Sequence, residues 1–224
     1  LDWLQKKEPD LWVMATIQAL SGLRMLEVAA LRRQDIDLAN GIVRVTDTGF
    51  HKPKTAASNR IIPVCSEVLN TLSEWMDGQK VIPASGELFL TRLGTHWTEG
   101  ALSHRWSKMP IPPDPNNKKK RGRPGGARFQ AAKETGIVRL GEVQPHGLRS
   151  AFATMAGRLG VPDRLLKSYL GHVPGDVLGV HYRKITLAEM GLVSSRTEGW
   201  RNLVDGESVW QHSGNHEEAA IATG

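Results

Sequence analysis

Apolar residues Ala15, Ala19, Leu20, Leu23, Leu26, Ala30 and Leu31 recur at spacings of three and four, the period that gathers side chains on one helical face. The pattern predicts two helices between Leu11 and Leu38, hinged at Ser21-Gly22, with Ser21 placed to cap the second. In GIVRVTDTGFHKPKTAASNRIIPV the period changes to short alternating runs separated by polar turns, which predicts a small antiparallel meander. Pro63 and Ser66 then announce a helix through Leu69, Leu72 and Trp75. ELFLTRLGTHW predicts a short extended piece with a turn, and TEGALSHRWSKM another helix. Pattern is lost from Pro110 to about Gly141 and returns in PHGLRSAFATMAGRLG and PDRLLKSYLG, where Pro145 and Pro162 start helices and Gly160 and Gly171 stop them. The expected fold class is therefore α+β, mainly helical, with a small antiparallel sheet.

Composition narrows the setting. The 224 residues are 40% hydrophobic and 23% charged, ordinary for a globular chain with a buried core. No run approaches the roughly 18 consecutive apolar residues of a membrane span, and LDWLQKKEPD lacks the features of a signal peptide. The expectation is a cytoplasmic protein with no membrane partner. A single cysteine, Cys65, excludes an internal disulfide and any cysteine-based zinc cluster.

Charge changes the picture more. The net charge is +6, yet residues 118–139 alone hold eight Lys and Arg against one Glu. The rest of the chain is near neutral, so the basic character sits in one Pro- and Gly-rich segment that includes Lys118, Lys119, Lys120, Arg121 and Arg123. A long charged segment of this kind either is a solvated loop or meets an anionic polymer such as DNA.

Four short elements carry candidate chemistry. In SGLRMLEVAAL, Arg24 stands among Leu23, Leu26 and Val28, with Glu27 three residues on and able to orient it. Lys52 and Lys54 share one face of an extended segment ahead of a polar turn. PHGLR puts His146 and Arg149 on one face at a helix start, a place that favours anions. LGHVPGDVLGVHYRK contains His172 and Tyr182, and the only other tyrosine, Tyr169, lies on an apolar helix where packing explains it. Each element taken singly is also explained by an ordinary solvated or packed side chain.

Read in order, SGLR-x-x-E, Lys54 before RIIPV, HGLR, LGH and a following Tyr together resemble the catalytic domain of the tyrosine recombinases, the phage-integrase family. The resemblance runs from about Leu11 to Lys184. It implies a catalytic set of Arg24, Lys54, His146, Arg149, His172 and Tyr182, with Glu27 behind them as an orienting group. It also implies a catalytic domain over residues 1–190, from which the basic insertion at about 110–141 departs by being longer than a compact member would carry. The acidic composition of the last twenty residues adds the expectation of a C-terminal segment over 191–224 with a mobile tail. The N-terminal core-binding domain usual in the family is expected to be absent. ITLAEMGLVSS would be a helix for docking on a neighbouring copy.

The implied reaction is cleavage and rejoining of double-stranded DNA. Tyr182 attacks a phosphodiester, a 3′-phosphotyrosyl link forms, and a 5′-hydroxyl leaves. No metal or other cofactor is called for. The implied assembly is a homotetramer on DNA for a full-length protein and a monomer for this chain alone. Rival expectations are a type IB topoisomerase-like strand transferase and a DNA-binding regulator that does not cut. A phosphate-binding metabolic enzyme is disfavoured because no G-x-x-x-x-G-K loop is present.

Overall fold

A computed structural model describes residues 5–6, 8–50, 59–79, 83–107, 145–172 and 185–199. Among them, seven α-helices, a 3-10 turn at Arg33–Asp35 and a three-stranded sheet surround one apolar core. Helix α1 spans Pro9–Ser21, with Pro9 at its start and Asp10 in its first turn, both suited to a helix N-terminus. It is central: Leu11, Val13, Met14, Ala15, Ile17 and Leu20 are all buried. Helices α3 (Ser66–Gly78) and α5 (Pro145–Arg158) pack against it.

The hinge falls where expected. Gly22 adopts a left-handed conformation, φ +65°, and its N–H donates to the Gln18 carbonyl to close α1. The capping differs from expectation. Ser21 Oγ turns back to donate to the Ile17 carbonyl, and Arg24 takes the N-cap position of α2, Met25–Ala29. The N–H of Arg24 donates to Glu27 Oε2 at 2.8 Å. Helix α2 is also shorter than its apolar period suggests. Beyond Ala29 the chain leaves the helix, and Leu31 accepts a backbone hydrogen bond from Leu88. Arg32 and Arg33 are half-buried, with Arg32 paired to Asp35 and Arg33 donating to the Met76 carbonyl.

The meander forms as β1 (Ile36–Asp37), β2 (Ile42–Val45) and β3 (Arg60–Pro63), antiparallel in that order. Its register pairs Val43 with Ile62 and Val45 with Arg60. Side chains alternate across a strand, so Arg60 shares the face of Ile62, which is wholly buried. That places a guanidinium on the inward side of the sheet.

The remaining elements are α4 (Glu99–Ser107), α6 (Asp163–Tyr169) and α7 (Leu187–Thr197). Gly160 and Gly171 both have positive φ and follow α5 and α6, as their positions in the sequence predict. Helix α7 is capped by Thr186, whose hydroxyl accepts from the Glu189 N–H while Glu189 accepts from the Thr186 N–H. It lies on β3 and α6 of its own chain and buries Val193 and Thr197. Glu198 and Glu67 then tie its end to the start of α3, through Ser66 N to Glu198 Oε2 at 3.1 Å and Gly199 N to Glu67 Oε1 at 2.7 Å. Among the described residues no helix is long and apolar enough to cross a membrane.

Candidate active site: three arginines around one carboxylate

Glu27 is the centre of the site. Its side chain is only 1% exposed, and a buried carboxylate must be paired. Arg60 does most of this pairing, with Nη1 donating to Oε1 at 3.1 Å and Nη2 to Oε2 at 3.0 Å. Arg24 Nη1 reaches Oε1 at 2.7 Å, and Arg149 Nη1 stands 3.9 Å from Oε2. Burial by itself would raise the Glu27 pKa, but the hydrogen bonds and charge of Arg60, helped by Arg24, outweigh it and hold the group at about 2. Glu27 is thus a fixed anion. Arg24 is the least enclosed of its partners, its side chain 38% exposed against 6% for Arg60 and 5% for Arg149.

Arg149 is carried by the first half of α5, one turn after His146. Its Nη1 donates to the Gly22 carbonyl and its Nη2 to the Leu170 carbonyl, each at 2.6 Å. These bonds join the hinge after α1 to the end of α6. Burial, and then the charge of Arg24, lower the Arg149 pKa to about 10, against the opposing pull of Glu27. It remains cationic at neutral pH. His172 Nε2 lies 3.1 Å from Arg149 Nη2. A guanidinium can only donate, so that nitrogen accepts and the ring proton sits on Nδ1. Partial burial and the nearby cations, Arg149 first, push the His172 pKa below its ordinary value, in keeping with a neutral ring.

Among the described residues, Tyr169 and Cys65 are both withdrawn from nucleophilic chemistry. Tyr169 is buried, donates its hydroxyl to the Pro63 carbonyl at 3.0 Å and stacks on Phe152 with ring centroids 5.9 Å apart. Burial raises its pKa above that of a free phenol. Cys65 is buried as well, and its thiol is pushed up to about 12.

The structure therefore brings together Arg24, Glu27, Arg149 and His172 from three separate stretches of chain. His146 is exposed in the first turn of α5, on the helix that carries Arg149. Lys52, Lys54, Tyr182 and the basic residues Lys118, Lys119, Lys120, Arg121 and Arg123 lie outside the described residues. Arg60 was absent from the expected set. Its signal was available in RIIP, where strand alternation puts Arg60 on the face of Ile62.

Fold and site together define a mainly helical α+β domain in which guanidinium groups converge at the junction of a small sheet and two helix ends. The chain belongs to the phage integrase family, which matches residues 5–188. It is 28% identical over 152 residues to the tyrosine recombinase XerC of Pelobacter propionicus, covering 68% of this chain and 40% of that protein. It is 23% identical over 215 residues to the prophage integrase IntF of Escherichia coli K12, covering 89% and 39%. The chain thus spans about 40% of the length of the curated relatives it matches. Among solved structures, the integrase of transposon Tn1549, in complex with transposon right end DNA, superposes with a TM-score of 0.56 at 20% identity, covering 89% of this chain and 62% of that one. The XerA recombinase gives 0.52 at 17% identity, covering 90% and 58%. The fold is that of the tyrosine recombinase catalytic domains.

Proposed function

We propose that this chain cleaves and rejoins double-stranded DNA as the catalytic part of a site-specific recombinase acting in the cytoplasm. The observation that carries the proposal is the cluster of Arg24, Arg60 and Arg149 around Glu27, with His172 against Arg149. Three guanidinium charges and one carboxylate leave a net +2, with a neutral imidazole beside it. Attack on a phosphodiester builds negative charge on the nonbridging oxygens, and preorganised cations stabilise it where it develops. Arg24 and Arg149 would hold those oxygens, since a guanidinium is permanently charged and can offer two parallel donors.

Tyr182 is assigned as the nucleophile. Of the two tyrosines in the chain, Tyr169 is committed to the core. Attack by the Tyr182 oxygen on phosphorus forms the 3′-phosphotyrosyl bond and breaks the bond to the 5′-oxygen. Lys54, with Lys52 as its alternative, would protonate that oxygen as it leaves. His146 and His172 would hydrogen-bond the phosphoryl oxygens, His146 also taking the proton from Tyr182. Reversal with a different 5′-hydroxyl rejoins the strands. The step needs neither metal nor external energy source, because the covalent link conserves the bond. In a full-length protein, four copies would act on paired DNA sites, with the basic segment 118–123 on the phosphate backbone.

Covalent trapping tests this. A pool of nicked duplexes randomised on either side of the nick loses the short 5′-hydroxyl strand on cleavage, so protein–DNA adducts accumulate and survive denaturing electrophoresis. Wild type and Tyr169→Phe should form adducts, whereas Tyr182→Phe should form none while still binding DNA. An adduct with Tyr182→Phe would overturn the assignment.

A further inference from the structure

We infer that Arg60 is a positioning residue, locking the strand that follows Lys54 and the Gly171–His172 turn onto the carboxylate that also holds Arg24. The inference rests on the strand-transfer reaction proposed above.

Three contacts converge on this one side chain. Its two Nη atoms close both oxygens of Glu27, and its Nε donates to the Tyr169 carbonyl at 2.8 Å. Gly171 lies directly against the guanidinium. A Cβ there would fall 3.0 Å from Arg60 Nη1 and 3.2 Å from Cζ, and Gly171 has φ +69°, so both space and backbone conformation call for glycine. Residue 171 is followed at once by His172. Arg60 is also the first residue of β3, paired with Val45 at the last rung of the ladder, and Lys54 stands six positions before it. A single buried guanidinium therefore fixes where β3 begins, where the histidine turn sits, and how Glu27 faces Arg24.

Charge gives the position a second consequence. Without Arg60 the net charge of the four groups falls from +2 to +1, while the attacked phosphodiester goes from one negative charge towards two. The buried carboxylate would also turn to its remaining partners, Arg24 at 2.7 Å and Arg149 at 3.9 Å, and draw them from the phosphate. Lysine cannot substitute. An ammonium is a point charge, and it cannot close both carboxylate oxygens and reach the Tyr169 carbonyl in one plane.

The test uses the 224-residue chain and the DNA sequences that the wild type traps from the nicked pool. Arg60→Lys should keep its DNA affinity while its single-turnover rate of adduct formation falls on the order of 10–100-fold. A purely structural role would lower thermal stability without this separation of rate from binding. Arg60→Met combined with Glu27→Gln removes both charges together, so it keeps the question open to measurement where a lone charge change unfolds the chain; it too should bind DNA and cleave slowly. Wild-type rates in either variant, or a loss of rate matched by an equal loss of binding, would overturn the inference and leave the proposed function standing. Failure of the wild type itself to form adducts would overturn both.

Discussion

Arg149 stands 3.9 Å from Glu27 but directs its hydrogen bonds elsewhere, to the carbonyls of Gly22 and Leu170. The carboxylate sets its electrostatic environment, while backbone oxygens from two distant turns set its direction. This division leaves a buried cation whose position depends on the hinge after α1 and the end of α6 as much as on its own helix.

Acid should expose the dependence on Glu27. Its folded-state pKa of about 2 lies below the ordinary 4.5, so its contribution to stability is complete above pH 4.5 and is lost as pH falls towards 2. The gap corresponds to about 3 kcal/mol. Chemical denaturation of wild type across pH 5 to about 2 should show a loss larger by this order than in Glu27→Gln, which has no carboxylate to protonate. Parallel pH profiles would show that the pair is not what holds the carboxylate ionised.

Gly22→Ala should be costly at the hinge. The added Cβ would lie 2.4 Å from Phe152 Cδ1 and 2.8 Å from Leu170 Cδ2, and φ is +65°. Overpacking and left-handed strain together predict a loss of about 3 kcal/mol in urea unfolding. Because the Gly22 carbonyl anchors Arg149, adduct formation should slow further than the DNA affinity falls. A variant as stable as wild type would mean that Phe152 and Leu170 can move aside.

These hinge contacts mark where legibility in the sequence ended. The apolar period located α1, Gly22 its stop and Pro145 the start of α5, and strand alternation located the meander, because those signals are local. It did not locate the end of α2, which is set by Leu31 turning to pair with Leu88 far along the chain. The site divided in the same way. Arg24, Glu27, Arg149 and His172 were named through an ordered resemblance, whereas Arg60 was passed over in favour of the lysines before it. Its role comes from Glu27, 33 positions away, and from Tyr169, 109 positions away. Spacing within a motif cannot convey partners at such separations.

For His172, long-range nitrogen–proton NMR should show the proton on Nδ1 near neutral pH, with Nε2 accepting from Arg149. The titration midpoint should lie below the ordinary 6.5, since partial burial and the cations Arg149, Arg24, Arg60 and Lys167 all disfavour a second positive charge. The folded state should then lose stability as pH falls below 6.5, where the unfolded chain takes up the proton first. A proton on Nε2, or a midpoint above 6.5, would contradict the contact.

Neutralising Lys118, Lys119, Lys120 and Arg121 should flatten the dependence of log binding constant on log salt by about 0.9 for each phosphate they contact. Fluorescence anisotropy with duplex DNA over a salt series reads the slope directly. An unchanged slope would remove this segment from the phosphate backbone and leave it a solvated loop.

One carboxylate shared by three arginines also has a genetic consequence. Arg24, Arg60 and Arg149 come from an N-cap, a strand and a helix, yet each alters the field felt by the other two through Glu27. Substitutions at these positions should not combine additively: the second loss at the site should cost less than the first, because the interaction it would have broken is already gone. The three arginines should therefore respond to substitution as a unit rather than residue by residue.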